Sequence, residues 1–200
     1  SNFGLISLGC ARTLVDSEDM VQSMQSVGFK MVPEGTKEEV MVLNTCSFIQ
    51  AAIEETEQNI DQLIIRKKQN DIKYVCVVGC YPSRFKEQEL TEKYPDVDLW
   101  CTTKDEKTLH KRMAELVFKE KYTPKKVPTY TKISPSHYAY LKISEGCDNW
   151  CTFCTIPKIR GKHTSKSIEA IRQDAKIQIG MGAKELIIIA EDTTAWGEDI

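Results

Sequence analysis

The chain has no run of the ~18 apolar residues that a membrane-spanning helix needs, and its start, Ser1-Asn2-Phe3-Gly4, lacks the charged-then-apolar layout of a secretory signal. These absences predict a cytoplasmic protein with no membrane partner. Ser1 stands where an initiator Met would, as in an expression scar, a processed start or a fragment. Neither sign of charge is in excess: 27 Lys and Arg against 29 Asp and Glu leave a net charge of −2. Nucleic acid contact would therefore need a local basic patch or a further domain. Cysteine is too sparse for a disulfide scaffold, with eight in 200 residues where such scaffolds carry more than ~8–10%. In a reducing compartment, metal binding or redox chemistry is the better use for these thiols. The three histidines, His110, His137 and His163, have no evident partner and receive no role.

What is present is the composition of a packed protein, 41% hydrophobic. At this length folding buries ~70% of the unfolded chain's surface, in one domain or two small ones. Residues 1–121 alternate β-rich apolar runs with helical patterns, the signature of βαβ units around an open parallel sheet. Strands are expected at Phe3–Leu8, Val40–Leu43, Tyr74–Val78 and Val97–Trp100. Met20, Val21, Met24 and Val27 mark a helix ending at Gly28. A second runs over Ile49–Lys68, with Glu54, Glu55 and Glu57 early and Arg66, Lys67 and Lys68 late, as the helix dipole prefers. Shorter helices are expected at Lys86–Lys93 and Asp105–Lys119. Residues 122–137, with Pro124, Pro128 and Pro135 and few large aliphatics, read as a linker. Residues 138–200 supply a strand (Tyr138–Ile143), a helix (Ser167–Ile179) and an apolar strand (Glu185–Ala190). One βαβ unit cannot cover both faces of a parallel sheet, so this second domain reads as the beginning of a larger (β/α) fold.

Cys147-x3-Cys151-x2-Cys154 packs three thiols into eight residues between a strand and a helix. Three thiolates fill three irons of a 4Fe-4S cluster and leave the fourth open, whereas a structural zinc site wants four closed ligands. A zinc knuckle completed by His163 or Asp148 is the competing reading, without standard spacing for the fourth ligand. Cys10, Cys46 and Cys80 are distant in sequence, yet each follows the end of an expected parallel strand, and such ends share one edge of an open sheet. They either converge or are incidental. Cys76, alternating inside a strand, reads as core, while Cys101 at another strand end rivals Cys80 as a third ligand.

Cys147-x3-Cys151-x-Phe153-Cys154 resembles the radical S-adenosylmethionine (SAM) motif, with its aromatic residue before the last cysteine. Leu8-Gly9-Cys10 with Leu14-Val15-Asp16-Ser17-Glu18, Asn44-Thr45-Cys46-Ser47-Phe48-Ile49, and Gly79-Cys80 with Arg84 resemble the N-terminal domain of the methylthiotransferases. The resemblance implies two 4Fe-4S clusters. Cys147, Cys151 and Cys154 would hold the one that binds and reductively cleaves SAM, with Phe153 beside the adenine. Cys10, Cys46 and Cys80 would hold an auxiliary one that carries sulfur, leaving Cys101 outside both sets. The resemblance also implies an electron donor and a partial radical-SAM barrel beginning in the second domain.

Two branches of that family compete, one modifying the β-carbon of an aspartate in a small-subunit ribosomal protein and one modifying a tRNA adenosine. Ser7-Leu8-Gly9-Cys10, Lys142-Ile143-Ser144-Glu145-Gly146-Cys147 and Asp192-Thr193-Thr194-Ala195-Trp196-Gly197 resemble the ribosomal-protein branch. The chain departs from the family at Ala11-Arg12, at Tyr81-Pro82-Ser83, and at Glu191, a carboxylate for a usual amide. From a different class, the chain could be a non-catalytic iron-sulfur or zinc module, against which the open three-thiol design of both sites argues. Lys158, Arg160, Lys162, His163 and Lys166 either meet a polyanion or form a solvated basic face, the second being favoured.

Overall fold

The computed structural model describes residues 1–119 and 130–200, which divide into two compact units, Ser1–Thr131 and Lys132–Ile200. The first half of the linker expected over 122–137, and the end of the first domain, lie outside the described residues.

The first unit is a five-stranded, all-parallel sheet. Its elements run β1 (Asn2–Ser7), α1 (Ala11–Ser26), β2 (Lys30–Met31), β3 (Val40–Thr45), α2 (Gln50–Lys68), β4 (Tyr74–Gly79), α3 (Cys80–Arg84), α4 (Glu87–Lys93), β5 (Leu99–Thr102), a 3-10 turn (Glu106–Thr108) and α5 (Leu109–Phe118). The strand order is β2-β1-β3-β4-β5. Register places Ser7 beside Asn44, Thr45 beside Gly79 and Gly79 beside Thr102, so the carboxyl ends of the four longer strands lie on one edge.

Every residue of β3 is buried, as a strand covered on both faces must be. Alternate side chains divide between the faces. Met41 and Leu43 join Val75, Val77 and Trp100 in a core with Ile60 and Leu63 of α2 and Leu90 of α4. On the opposite parity, Asn44 meets α1 through Thr13 and Ser17. Each fully buried Leu or Ile contributes about 1.5–3 kcal/mol, and Leu43, Ile60, Leu63 and Ile72 all reach that state. Helix α2 ends in Arg66, Lys67 and Lys68, cations where the dipole is negative.

The second unit contains β6 (Tyr138–Lys142), β7 (Ser144–Glu145), α6 (Ile156–Arg160), β8 (Thr164–Ser165), α7 (Ile168–Gly180) and β9 (Glu185–Ile189). Strands β6 and β9 pair in parallel, β7 and β8 antiparallel, and no closed barrel forms. The Ser167 hydroxyl caps α7 by accepting from Ala170 N at 3.2 Å. One βαβ unit leaves apolar surface uncovered, with Ile179 and Ile188 more than half exposed.

Two sequence expectations are corrected. The fourth strand begins at Leu99, because Asp98 turns its carboxylate back to accept from Val75 N and Lys67, and Cys101 therefore lies inside β5. The basic stretch is not one solvated face. Arg160 is buried against Glu145 at 3.1 Å and His163 is buried beside Ser165, which leaves Lys158 and Lys162 exposed. Among the described residues, no helix is long and apolar enough to cross a membrane.

Candidate functional site

Cys10, Cys46 and Cys80 follow β1, β3 and β4, three neighbouring strands, at their carboxyl ends. Cys10 is the N-cap of α1 and Cys80 the first residue of α3, while Cys46 lies directly beyond β3. The backbone is drawn in tightly around them. A Cβ on Gly9 would lie 2.7 Å from Cys46 Cβ and 3.3 Å from its Sγ, and Gly9 adopts φ +102°, which favours glycine. Gly79, at φ +98°, leaves only 2.5 Å between such a Cβ and Asn44 Oδ1.

A buried polar network ties the three segments together. Thr45 donates its hydroxyl to Val78 O at 2.6 Å and accepts from Tyr81 N at 3.1 Å, joining the end of β3 to both sides of Cys80. Thr56 donates to Cys46 O at 2.9 Å, and Arg84 donates to Ser47 O. Burial opposes ionisation of Cys10, but the Thr13 backbone and hydroxyl and the Arg12 backbone outweigh it and hold the thiol below its usual value. Cys76 and Cys101 are fully buried within strands, and burial pushes both thiols up, Cys101 to about 12. They behave as core.

Cys147, Cys151 and Cys154 lie on the loop between β7 and α6, with Cys151 exposed and its neighbours partly buried. Cys147 N donates to Gly161 O at 3.2 Å, and a Cβ on Gly146 would meet Lys162 O at 2.2 Å, so the loop leans on the segment after α6. Asp148 accepts from His163 N at 3.1 Å, and Asn149 donates to Asp192 at 2.8 Å. Hydrogen bonds from the Thr194 hydroxyl, from Asn149 and from the Thr194 backbone hold the Asp192 carboxyl down at about 2. A cleft of about 450 Å³ opens here, lined by Cys147, His163 and the carboxylates of Asp148, Asp192, Glu198 and Asp199 among others. Phe153 and Trp150 project outward, 84% and 62% exposed. Glu191, two residues past β9, is partly buried.

Among the described residues, no three His, Cys, Asp or Glu side chains stand together as the ligands of one metal ion. The zinc alternative is weakened further, since His163 Nε2 faces Ser165 Oγ at 3.2 Å and Asp148 is engaged by the His163 backbone. A four-iron cluster spreads its thiolates over a wider gap than one ion does. Thiol donors, glycines pressed against Cys46 and Asn44, and backbone N–H groups at Cys10 fit such a group at the first triad. At the second, three thiols on one short, anchored loop fit it too. Sequence reading missed the roles of Asn44, Thr45, Asn149 and Asp192, whose partners are remote in the chain.

Comparison with known proteins adds relatives along nearly the whole chain. The ribosomal protein uS12 methylthiotransferase RimO of Dictyoglomus thermophilum is 38% identical over 98% of this chain and 46% of its own length. The proteins of the same name from Alkaliphilus oremlandii and Sulfurihydrogenibium sp. are 38% and 40% identical, with 45% and 43% of their lengths covered. The chain thus spans a little under half the length of the curated relatives it matches. Residues 2–102, which form the sheet and carry Cys10, Cys46 and Cys80, match the family described as Uncharacterized protein family UPF0004, and the chain belongs to that family.

Proposed function

We propose that this chain is the front part of a radical-SAM methylthiotransferase acting on the small-subunit ribosomal protein uS12, with a 4Fe-4S cluster at each cysteine triad. The observation that carries the reading is the placement of Cys10, Cys46 and Cys80 at the carboxyl ends of three adjacent parallel strands, in a chain that also holds the Cys147-x3-Cys151-x2-Cys154 loop. The names of the relatives support the substrate. Bound at the two triads, the clusters supply an electron to SAM and a place for the sulfur to be transferred.

The chain's own residues bind and orient. Cys147, Cys151 and Cys154 hold one cluster and leave an iron open to SAM. Four carboxylates around the cleft beside Cys147 suit the sulfonium and ammonium charges of that cosubstrate. Phe153, next to Cys154, offers an exposed ring against which adenine can stack. Cys10, Cys46 and Cys80 hold the second cluster, and the buried Thr45 and Asn44 networks keep their backbones in place. An external electron donor and a cytoplasmic setting complete the reading.

The test uses the whole protein, anaerobically, with SAM and uS12. Cys151→Ala should abolish SAM cleavage, whereas Cys46→Ala should keep cleavage and lose the methylthio product, read by mass spectrometry. Product from Cys46→Ala, or modification of tRNA and not of uS12, would overturn it.

A further inference from the structure

We propose that Asn44 is the positioning residue that sets the separation of Cys10, Cys46 and Cys80; the inference rests on reading those thiols as one centre. Asn44 is 1% exposed, on a strand whose neighbours are Val42, Leu43 and Thr45. An amide so placed is costly unless it is bonded. Its Nδ2 donates to Thr13 O at 3.1 Å and to Ser17 Oγ at 2.9 Å, and Ser17 passes the bond on to Ser7 Oγ at 2.8 Å. Its backbone carbonyl accepts from Leu8 N at 2.8 Å. The turn that carries Cys10 therefore begins, at Leu8, and ends, at Thr13, on this one residue.

The segments of the other two thiols lie against the same residue, which pairs with Val78 in the sheet. Cys46 is two residues further on, directly beyond the strand's last residue, Thr45. Asn44 Oδ1 stands where a side chain at Gly79 would be, 2.5 Å from the position of its Cβ, and Gly79 immediately precedes Cys80. No other side chain described above reaches all three segments. Leucine would fill the same space without a donor, and aspartate would set a charge against Thr13 O.

The experiment uses the 200-residue chain with Cys147→Ala and Cys151→Ala, so that a single triad remains, reconstituted anaerobically with iron and sulfide. Asn44→Leu should release iron to a chelator about 10- to 100-fold faster than this parent, the effect of losing a partner that orients a ligand. The EPR signal of its cluster after reduction with dithionite should change while the amides of β1, β3 and β4 keep their hydrogen-exchange protection. Ser17→Ala, which removes one partner of the amide, should fall between the two. Parent-like iron release and EPR in Asn44→Leu would overturn the proposal and leave the centre standing, and Ser17→Ala decides in the same way if the leucine variant does not fold. A parent that takes up no iron overturns the centre and the proposal together.

Discussion

The Tyr81 hydroxyl donates to Glu57 Oε1 at 2.8 Å, and the same oxygen receives the Lys93 ammonium at 2.7 Å. Tyr81 is 1% exposed and directly follows Cys80, so this bond anchors α3 to α2. Tyr81→Phe keeps the ring packing against Phe85 and removes only the bond. The expected loss is about 1–2 kcal/mol, as for a hydrogen bond to a charged group that is partly solvated, read as a lower urea midpoint at unchanged slope.

Acid should weaken the first unit through Glu38. Burial opposes its ionisation, but Arg66 and the backbone N–H groups of Gly35, Glu38 and Lys37 outweigh that and bring the carboxyl down to about 2. A depressed folded-state value means stability present above the unfolded value near 4.5 and lost as pH falls toward 2. Glu38→Gln should therefore destabilise the chain at pH 7 by on the order of 2 kcal/mol and flatten the urea-midpoint profile between these limits. An unchanged profile would remove Glu38 as its source.

Gly9 tolerates no side chain. Gly9→Ala adds a Cβ that meets Cys46 Cβ at 2.7 Å, in a positive-φ conformation that costs a non-glycine residue about 1–2 kcal/mol. Reconstituted iron in the first unit should fall along with the denaturant midpoint. Gly35→Ala shares the positive φ but meets nothing within 4 Å, so it should lose stability alone.

Thiol labelling should sort the cysteines. In the iron-free chain at pH 8, iodoacetamide should modify the exposed Cys10 and Cys151 while Cys76 and Cys101, fully buried and pushed up by burial, stay unlabelled until urea unfolds the sheet. Early labelling of Cys101, followed by tryptic mass spectrometry, would return it to the edge where the sequence first put it.

That error shows what a sequence can carry. Strands β3 and β4 were legible because a strand buried on both faces tends to an unbroken apolar run, and Val40-Met41-Val42-Leu43 is one. Val97-Asp98-Leu99 mimics such a run, but the Asp98 carboxylate terminates a loop, and that bond is written in Val75 and Lys67. Helix α1 was legible only from Met20 onward. Its first turns bury Thr13, Asp16, Ser17 and Glu18, and apolar periodicity is blind to a polar face packed against a sheet end. Helix α3 and the β7–β8 pair are too short to leave a period. Parallel strand ends share one edge, which made Cys10, Cys46 and Cys80 candidates with Cys101 as a rival, and only the family resemblance chose among them. Asn44 stands in the Asn44-Thr45-Cys46 motif, but its contacts with Thr13, Ser17 and Gly79 exist only once the strands are assembled.

The strand order β1-β3-β4-β5 has a kinetic consequence. Each pairing must close a whole crossover before any ladder bond rewards it, so the contacts that assemble the sheet are distant in the chain and folding belongs to the slow, millisecond-to-second class. During that interval Cys10, Cys46 and Cys80 are three independent thiols on an open polymer, free to meet oxygen or one another. Iron delivered too early would find loose donors rather than an edge. Under the proposed reading of these thiols, strand pairing would best precede metal loading, with oxygen kept out of the gap between them.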